Sequence, residues 1–205
     1  MQDLTTILLD QLKALSAPEL TAVVFAIGYL ALAIRQNIWC WLCALISTAI
    51  YVWLFVQARL YMEAVLNAFY FGMAVYGWSV WRGGKNHEQP PVTTWPVTVH
   101  AAAASCIVAL SAANGFLLDR YTDAAYPYVD SMTTYAALWA TFLVARKVLE
   151  NWWYWLLIDT VSIAIYWDRE LKLTALLFVV YVLMIPFGLL AWTRSFRQRE
   201  ATVAV

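Results

Sequence analysis

Seven runs of predominantly apolar residues divide the chain, at about 18–34, 38–56, 60–81, 96–117, 127–146, 151–167 and 170–192. Each is close to the ~20 residues that a helix needs to cross a ~30 Å hydrocarbon core, so each predicts a transmembrane helix. The long polar connection, from Arg82 to Thr94, carries Gly83-Gly84 and Pro90-Pro91 and reads as a loop. A shorter one joins Asp119 to Pro127. Before the first run stand Asp3, Asp10, Lys13 and Glu19, which does not fit the basic start of a secretory signal peptide and predicts a retained N-terminus, as a short surface helix. The expectation is an all-α integral membrane protein, residues 1–205 forming one membrane domain.

Composition agrees. Of 205 residues 63% are hydrophobic and 13% charged, against ~25% charged in soluble domains. Thirteen basic residues balance thirteen acidic ones, so no net field draws nucleic acid or an acidic partner. Twelve Trp and twelve Tyr are expected largely as aromatic belts at the headgroups. Cys40 and Cys43 have CxxC spacing, but they lie with Cys106 inside apolar runs without a second pair or a nearby His, where a thiol behaves as a small hydrophobe. Sorting Lys and Arg by side gives five on the N-terminal side and eight on the other. The positive-inside rule then places the C-terminus in the cytoplasm and the N-terminus outside.

The runs also repeat. Asn37-Ile38-Trp39-Cys40-Trp41-Leu42 aligns with Asn151-Trp152-Trp153-Tyr154-Trp155-Leu156. After a three-residue change of register, Leu60, Ala64, Leu66, Tyr70, Met73, Gly77 and Trp81 match Leu171, Ala175, Leu177, Tyr181, Met184, Gly188 and Trp192. The second and third runs therefore map onto the sixth and seventh, four spans later and in the same direction. This predicts a parallel 3+1+3 repeat: residues 18–81 and 127–192 as two three-helix units joined by a linker helix at 96–117. Parallel repeats about an axis along the membrane normal are a transporter architecture, with substrate between the halves near midplane.

On the sixth run, Trp152, Trp155 and Asp159 fall at helical spacing on one face, which Tyr166 extends. Asp159 stands about eight residues, or about 12 Å, from the start of its helix, well inside the hydrocarbon. A carboxyl there is costly unless it faces a cavity or partner, and it marks function by default; the structural alternative is an interhelical packing bond. On the third run, Asn67, Tyr70, Ala74, Trp78 and Trp81 share a face. Trp78 and Trp81 approach its end and suit the interfacial belt, whereas Asn67 and Tyr70 are deeper. A carboxylate beside indole faces fits a small organic cation, because ring quadrupoles attract positive charge. It fits an anionic nucleotide poorly.

Other classes lack their chemistry. There is no GxxxxGK[ST] loop for ATP, no HExxH, and no second ligand at metal spacing beside His87 or His100. No cofactor is expected. A retinal protein would need a Schiff-base lysine within the bundle, and Lys172 is misplaced at a helix end. Ser162 with Asp159 is a helical neighbour pair rather than a nucleophile and its base. A membrane receptor or intramembrane enzyme remains the other class, separated from a carrier by counterflow.

Glu150-x-Trp152-x-x-Trp155-x-x-x-Asp159 resembles the ExWxxWxxx[ND] signature of the Pnu family of bacterial vitamin transporters, and Asn67-x-x-Tyr70 with Tyr76-Gly77-Trp78-x-x-Trp81 resembles its third-helix motif. The likeness spans about 18–194 and points to the nicotinamide riboside branch. It implies a SWEET-like seven-helix fold, a homotrimer in the bacterial inner membrane, and facilitated diffusion of the vitamin for NAD biosynthesis, with a cytoplasmic kinase trapping it by phosphorylation. It also implies a substrate site of Trp152, Trp155 and Asp159 facing Asn67 and Tyr70. The indoles would stack, Asn67 and Tyr70 would hydrogen-bond, and Asp159 would meet the positive ring or the ribose hydroxyls. Gln36 and Trp41, near the pseudo-symmetric counterpart of the sixth-run start, join the candidates. Many relatives have Asn where this chain has Asp159, which strengthens the case for a cation and leaves thiamine, then riboflavin, as alternative cargo.

Overall fold

The computed structural model describes residues 4–59, 61–83, 89–123 and 125–203; Gly84, Lys85 and His87 of the polar loop lie outside them. Eight helices follow one another: α1 (Leu4–Ala14), α2 (Ala17–Ile34), α3 (Trp39–Gln57), α4 (Tyr61–Trp81), α5 (Val97–Tyr121), α6 (Pro127–Ala145), α7 (Asn151–Asp168) and α8 (Lys172–Val203). All but α1 coincide with the apolar runs. Among the described residues α2, α3, α5 and α8 are long and apolar enough to cross a bilayer on composition alone. The other three long helices are more polar, carrying Asn67, Asp130 and Asp159 among others.

Local chemistry fixes the ends. Ser16 and Glu19 form a reciprocal capping box with Pro18 in the first turn of α2, which satisfies donors that a helix start leaves free. α2, α3, α6 and α7 all end alike, in a residue of left-handed backbone: Gln36 (φ 53°), Arg59 (φ 60°), Lys147 (φ 53°) and Glu170 (φ 61°). The next residue reaches back five positions in three of them, Asn37 to Leu32, Val148 to Leu143 and Leu171 to Tyr166, the bond that closes a Schellman motif. Glycine usually takes this conformation because a Cβ strains it; here none of the four is glycine. Lys147 and Glu170 stand 111 residues beyond Gln36 and Arg59.

Packing closes a ring. Each of α2, α3, α4, α6, α7 and α8 touches the helix before and after it in that order, and α8 meets α2 again. α5 lies outside, against α6. His100, near its start, reaches α7 with Nδ1 3.0 Å from the Tyr154 hydroxyl and Nε2 3.9 Å from a Glu150 carboxylate oxygen. α1 lies against α8, where the Gln11 amide donates to the Glu170 carbonyl and accepts from the Leu173 N–H, both at 2.8 Å.

The described connections at 35–38, 82–83, 89–96 and 146–150 share one end of the ring, here the basic end. There residues 89–96 cross beneath the bundle. Thr93 pairs with the α6–α7 connection, its N–H to the Lys147 carbonyl at 3.0 Å and its carbonyl to the Leu149 N–H at 2.8 Å, and Val92 is buried.

The main core sits at this end and draws from all six ring helices: Ala33, Trp41, Ala74, Ala145, Trp152 and Trp192 are among its members. Two glycines let it form. A Cβ on Gly77 would come within 2.3 Å of the Trp41 ring, and one on Gly188 within 2.2 Å of the Trp152 ring. The two glycines stand 111 residues apart, and so do the indoles that face them, three fewer than the 114 between the Asn37 and Asn151 runs aligned by their letters.

Candidate functional site

Beyond the main core, several half-buried phenols and the buried Asp159 carboxyl lie between the ring helices, and Asp130 on α6 and Glu63 on α4 come within electrostatic reach of Tyr166. Tyr70 of α4 packs with Trp155 and Tyr154 against Ala137, Ala140 and Ile158, and is within electrostatic reach of Tyr29 on α2 and Tyr166 on α7. Tyr181 of α8 is similarly close to Tyr51 on α3 and to Asp159 on α7. None of the pairs Tyr70–Tyr29, Tyr70–Tyr166 and Tyr181–Tyr51 joins neighbouring ring helices, so these side chains approach one another across the interior. Phe178 fills the space between Tyr166, stacked on it at 5.3 Å, and Tyr181, edge-on at 5.6 Å.

Asp159 is 4% exposed. Among the described residues its carboxyl has no hydrogen-bond or ion-pair partner, whereas the hydroxyl of its neighbour in sequence, Thr160, is bonded to the Leu156 carbonyl. A buried carboxylate without a partner is unfavourable. It differs from a packing bond in the one respect that matters, which is that its oxygens remain available.

The seven residues singled out from the sequence divide. Trp155 and Tyr70 meet in the cluster around Ile158, which Trp155 joins to the main core, and Asp159, one helical turn beyond Trp155, lies within reach of Tyr181. Trp152 and Trp41 lie deeper in the main core, 2% and 1% exposed. Their rings are wedged against Gly188 and Gly77, and their indole N–H groups have no acceptor among the described residues. Asn67 is half-buried and donates its amide to the Glu63 carbonyl one turn back, at 2.9 Å. Gln36 sits at the basic end, where its side-chain oxygen accepts from Lys147 at 3.3 Å. Among the described residues, the side-chain hydrogen bonds of these last two lead to Glu63 and Lys147 and not to Trp155, Tyr70 or Asp159.

Trp81 differs from the belt expectation. It is wholly buried, and its indole N–H donates to the Ala145 carbonyl at 3.1 Å. Trp192 does the same toward Ala33 at 3.0 Å. Both carbonyls belong to the last turn of a helix, where acceptors lack an intrahelical donor. Trp78 is half-buried and meets the exposed Trp39 edge-on at 5.5 Å, in keeping with a belt. A surface groove of about 550 Å³ between Val80, Pro91, Trp95 and Arg146 lies at the basic end and holds none of the seven.

Sequence reasoning missed Tyr29, Tyr51 and Lys147. Tyr181 stood in the repeat opposite Tyr70, so that match carried a usable signal; Tyr29 and Tyr51 have no such counterpart. Lys147 was counted only as a basic loop residue, yet it is 2% exposed, with its ammonium 4.5 Å over the Trp81 ring.

The model of the nicotinamide mononucleotide transporter family matches residues 16–194. Among curated proteins, the nicotinamide riboside transporter PnuC of Escherichia coli (strain K12) is 23% identical over 181 residues, 76% of each chain. The riboflavin/roseoflavin transporter RibM of Streptomyces davaonensis is 24% identical over 180 residues, 85% of this chain and 83% of its own. Among solved structures, the vitamin B3 transporter PnuC superposes with a TM-score of 0.68 at 21% identity, covering 87% of this chain and 81% of that one.

Proposed function

Because this chain belongs to the nicotinamide mononucleotide transporter family, the Pnu family, we propose that it carries nicotinamide riboside across the bacterial inner membrane by facilitated diffusion. The observation that carries this reading is Asp159, a buried carboxyl facing Tyr181 with no partner among the described residues. A pyridinium cation supplies what that carboxylate lacks, and Trp155 and Tyr70 offer ring faces and a hydroxyl beside it. A phosphate would be repelled there, so the nucleoside is favoured over the mononucleotide of the family's description. Trp152, Trp41, Asn67 and Gln36 complete the proposed site only if the halves move from the arrangement described.

The same reading takes all seven helices α2–α8 as spans and α2–α4 and α6–α8 as a parallel repeat in a SWEET-like fold. It is supported by the ring closure, by the two indole–glycine wedges and by the four left-handed helix ends, all at a spacing of 111. The basic end then faces the cytoplasm, where a kinase phosphorylates the cargo and keeps it from returning, and the chain works as a homotrimer.

Calorimetric titration of the detergent-purified protein with nicotinamide riboside, its mononucleotide, thiamine and riboflavin tests the cargo. Binding of the riboside and not the mononucleotide is expected. Binding of thiamine alone would keep the site and replace the cargo. Riboflavin, the cargo named for a relative of similar identity, has no fixed positive charge, and its binding alone would remove Asp159 from the argument. Counterflow of labelled substrate in proteoliposomes, without an energy source, separates a carrier from a receptor.

A further inference from the structure

At the basic end stands an arrangement that lies apart from Asp159 and Tyr181 in the structure described. Trp41, Trp81, Trp192 and Trp152 form a row from α3 through α4 and α8 to α7, with ring centroids 5.4, 6.2 and 5.5 Å apart. None is more than 2% exposed, and the row crosses the whole interior. Beside it, the Lys147 ammonium lies over Trp81 and donates to the side-chain oxygens of Gln36 at 3.3 Å and Gln89 at 2.9 Å. Three separate connections of the chain thus meet on one cation.

That cation is poorly compensated. Lys147 is buried, and its partners among the described residues are neutral amides and a ring face, with no carboxylate. A buried ammonium held only by dipoles gives up much of its hydration, so holding it and releasing it to water are closely matched. Its left-handed backbone adds strain in the held position. A contact so balanced can open.

We propose that Lys147, held by Gln36 and Gln89 against Trp81, is the latch of the inner gate, and that cargo leaves only when Lys147 swings into water and the indole row parts. The assignment rests on the transport reading above. A cationic cargo reaching the row would also repel the ammonium, so the substrate itself would help to release the latch.

Cys40 is a native reporter. It is fully buried in the same core, adjoins Trp41, and lies within electrostatic reach of Lys147. With Cys43→Ser and Cys106→Ser it is the only thiol in the chain. Its rate of modification by a membrane-impermeant methanethiosulfonate is measured in inside-out and right-side-out vesicles. Lys147→Met should raise the rate from the inner face about thirtyfold, the scale of one desolvated cation–π contact, and leave the outer face unchanged. Gln36→Ala and Gln89→Ala should give smaller rises, while Lys147→Arg should stay near the parent. An unchanged inner rate in Lys147→Met overturns the latch, as does a rise confined to the outer face. If Lys147→Met does not reach the membrane, unchanged labelling in the paired Gln36→Ala, Gln89→Ala variant overturns it equally. The readout needs no substrate, so it fails or succeeds independently of which vitamin binds.

Discussion

Thr48 on α3 and Asp159 on α7 stand 111 residues apart, the spacing that separates the two indole–glycine wedges, so the proposed repeat makes them counterparts. Thr48 turns its hydroxyl back to the carbonyls of Ala44 and Leu45, at 2.7 and 3.4 Å, and is self-contained. Asp159 has a charge to place and no such partner among the described residues. The same contrast recurs at the basic end, where Gln36 and Lys147 share a backbone conformation and a hydrogen bond but only one carries charge. Around these differences the frame is alike: Trp41 against Gly77 and Trp152 against Gly188, Trp81 bonded to Ala145 and Trp192 to Ala33. On the proposed repeat, the two halves share a frame and divide the chemistry, so the proposed cation would sit off-centre in an otherwise balanced cage.

If the frame is alike, damage to it should be alike. Trp81→Ala and Trp192→Ala should each destabilise the protein by roughly 3 kcal/mol, the lower range for emptying a buried indole site, with similar losses of melting temperature in detergent. A large difference between them would break the equivalence. Gly77→Ala and Gly188→Ala should each cost about 1–3 kcal/mol from overpacking against the facing indole, read by the same melts.

The chemistry should respond unequally. Asp159→Asn should weaken binding of a cationic substrate on the order of tenfold, about 1.4 kcal/mol, while Thr48→Val leaves calorimetric affinity unchanged. Trp155→Ala should weaken binding more than Trp81→Ala does. The smallest effect concerns pH. Burial pushes the Lys147 ammonium down from 10.5 to about 8, with Trp81, Gln36, Gln89 and the Cys40 thiol facing it. The unfolded state binds the extra proton between those values, so folding gains stability as pH rises through 8 toward 10.5 and little changes below about 7. Relative to Lys147→Met, the parent should gain about 1 kcal/mol between pH 7 and 9.

The helices were legible because an apolar run of the right length has few other uses, and the Asp159 face followed from helical spacing alone. Packing at the start of α7 was not legible from letters. α3 and α7 both open with several tryptophans, and only the fold shows that Trp41 is the one against Gly77 and Trp152 the one against Gly188. Trp81 was misplaced for a related reason. Proximity to a helix end suggests the headgroups, but the helix ends of α6 and α2 also present carbonyls that an indole N–H can satisfy. Lys147 was hidden by its apparent exposure in a polar connection; only the fold places Gln36 and Gln89 around it.

The bonds Trp81–Ala145 and Trp192–Ala33 lie on the two seams where one half meets the other, α4 with α6 and α8 with α2. On the proposed carrier reading they serve as hinge pins set at one end of long levers. A 20-residue helix is about 30 Å long, so a tilt of about 10° around pins at the basic end would carry the far ends about 5 Å apart. That is the thickness of a flat aromatic ring with room to slide. A wide opening at the far mouth can therefore arise from a small rotation that leaves both indole bonds intact.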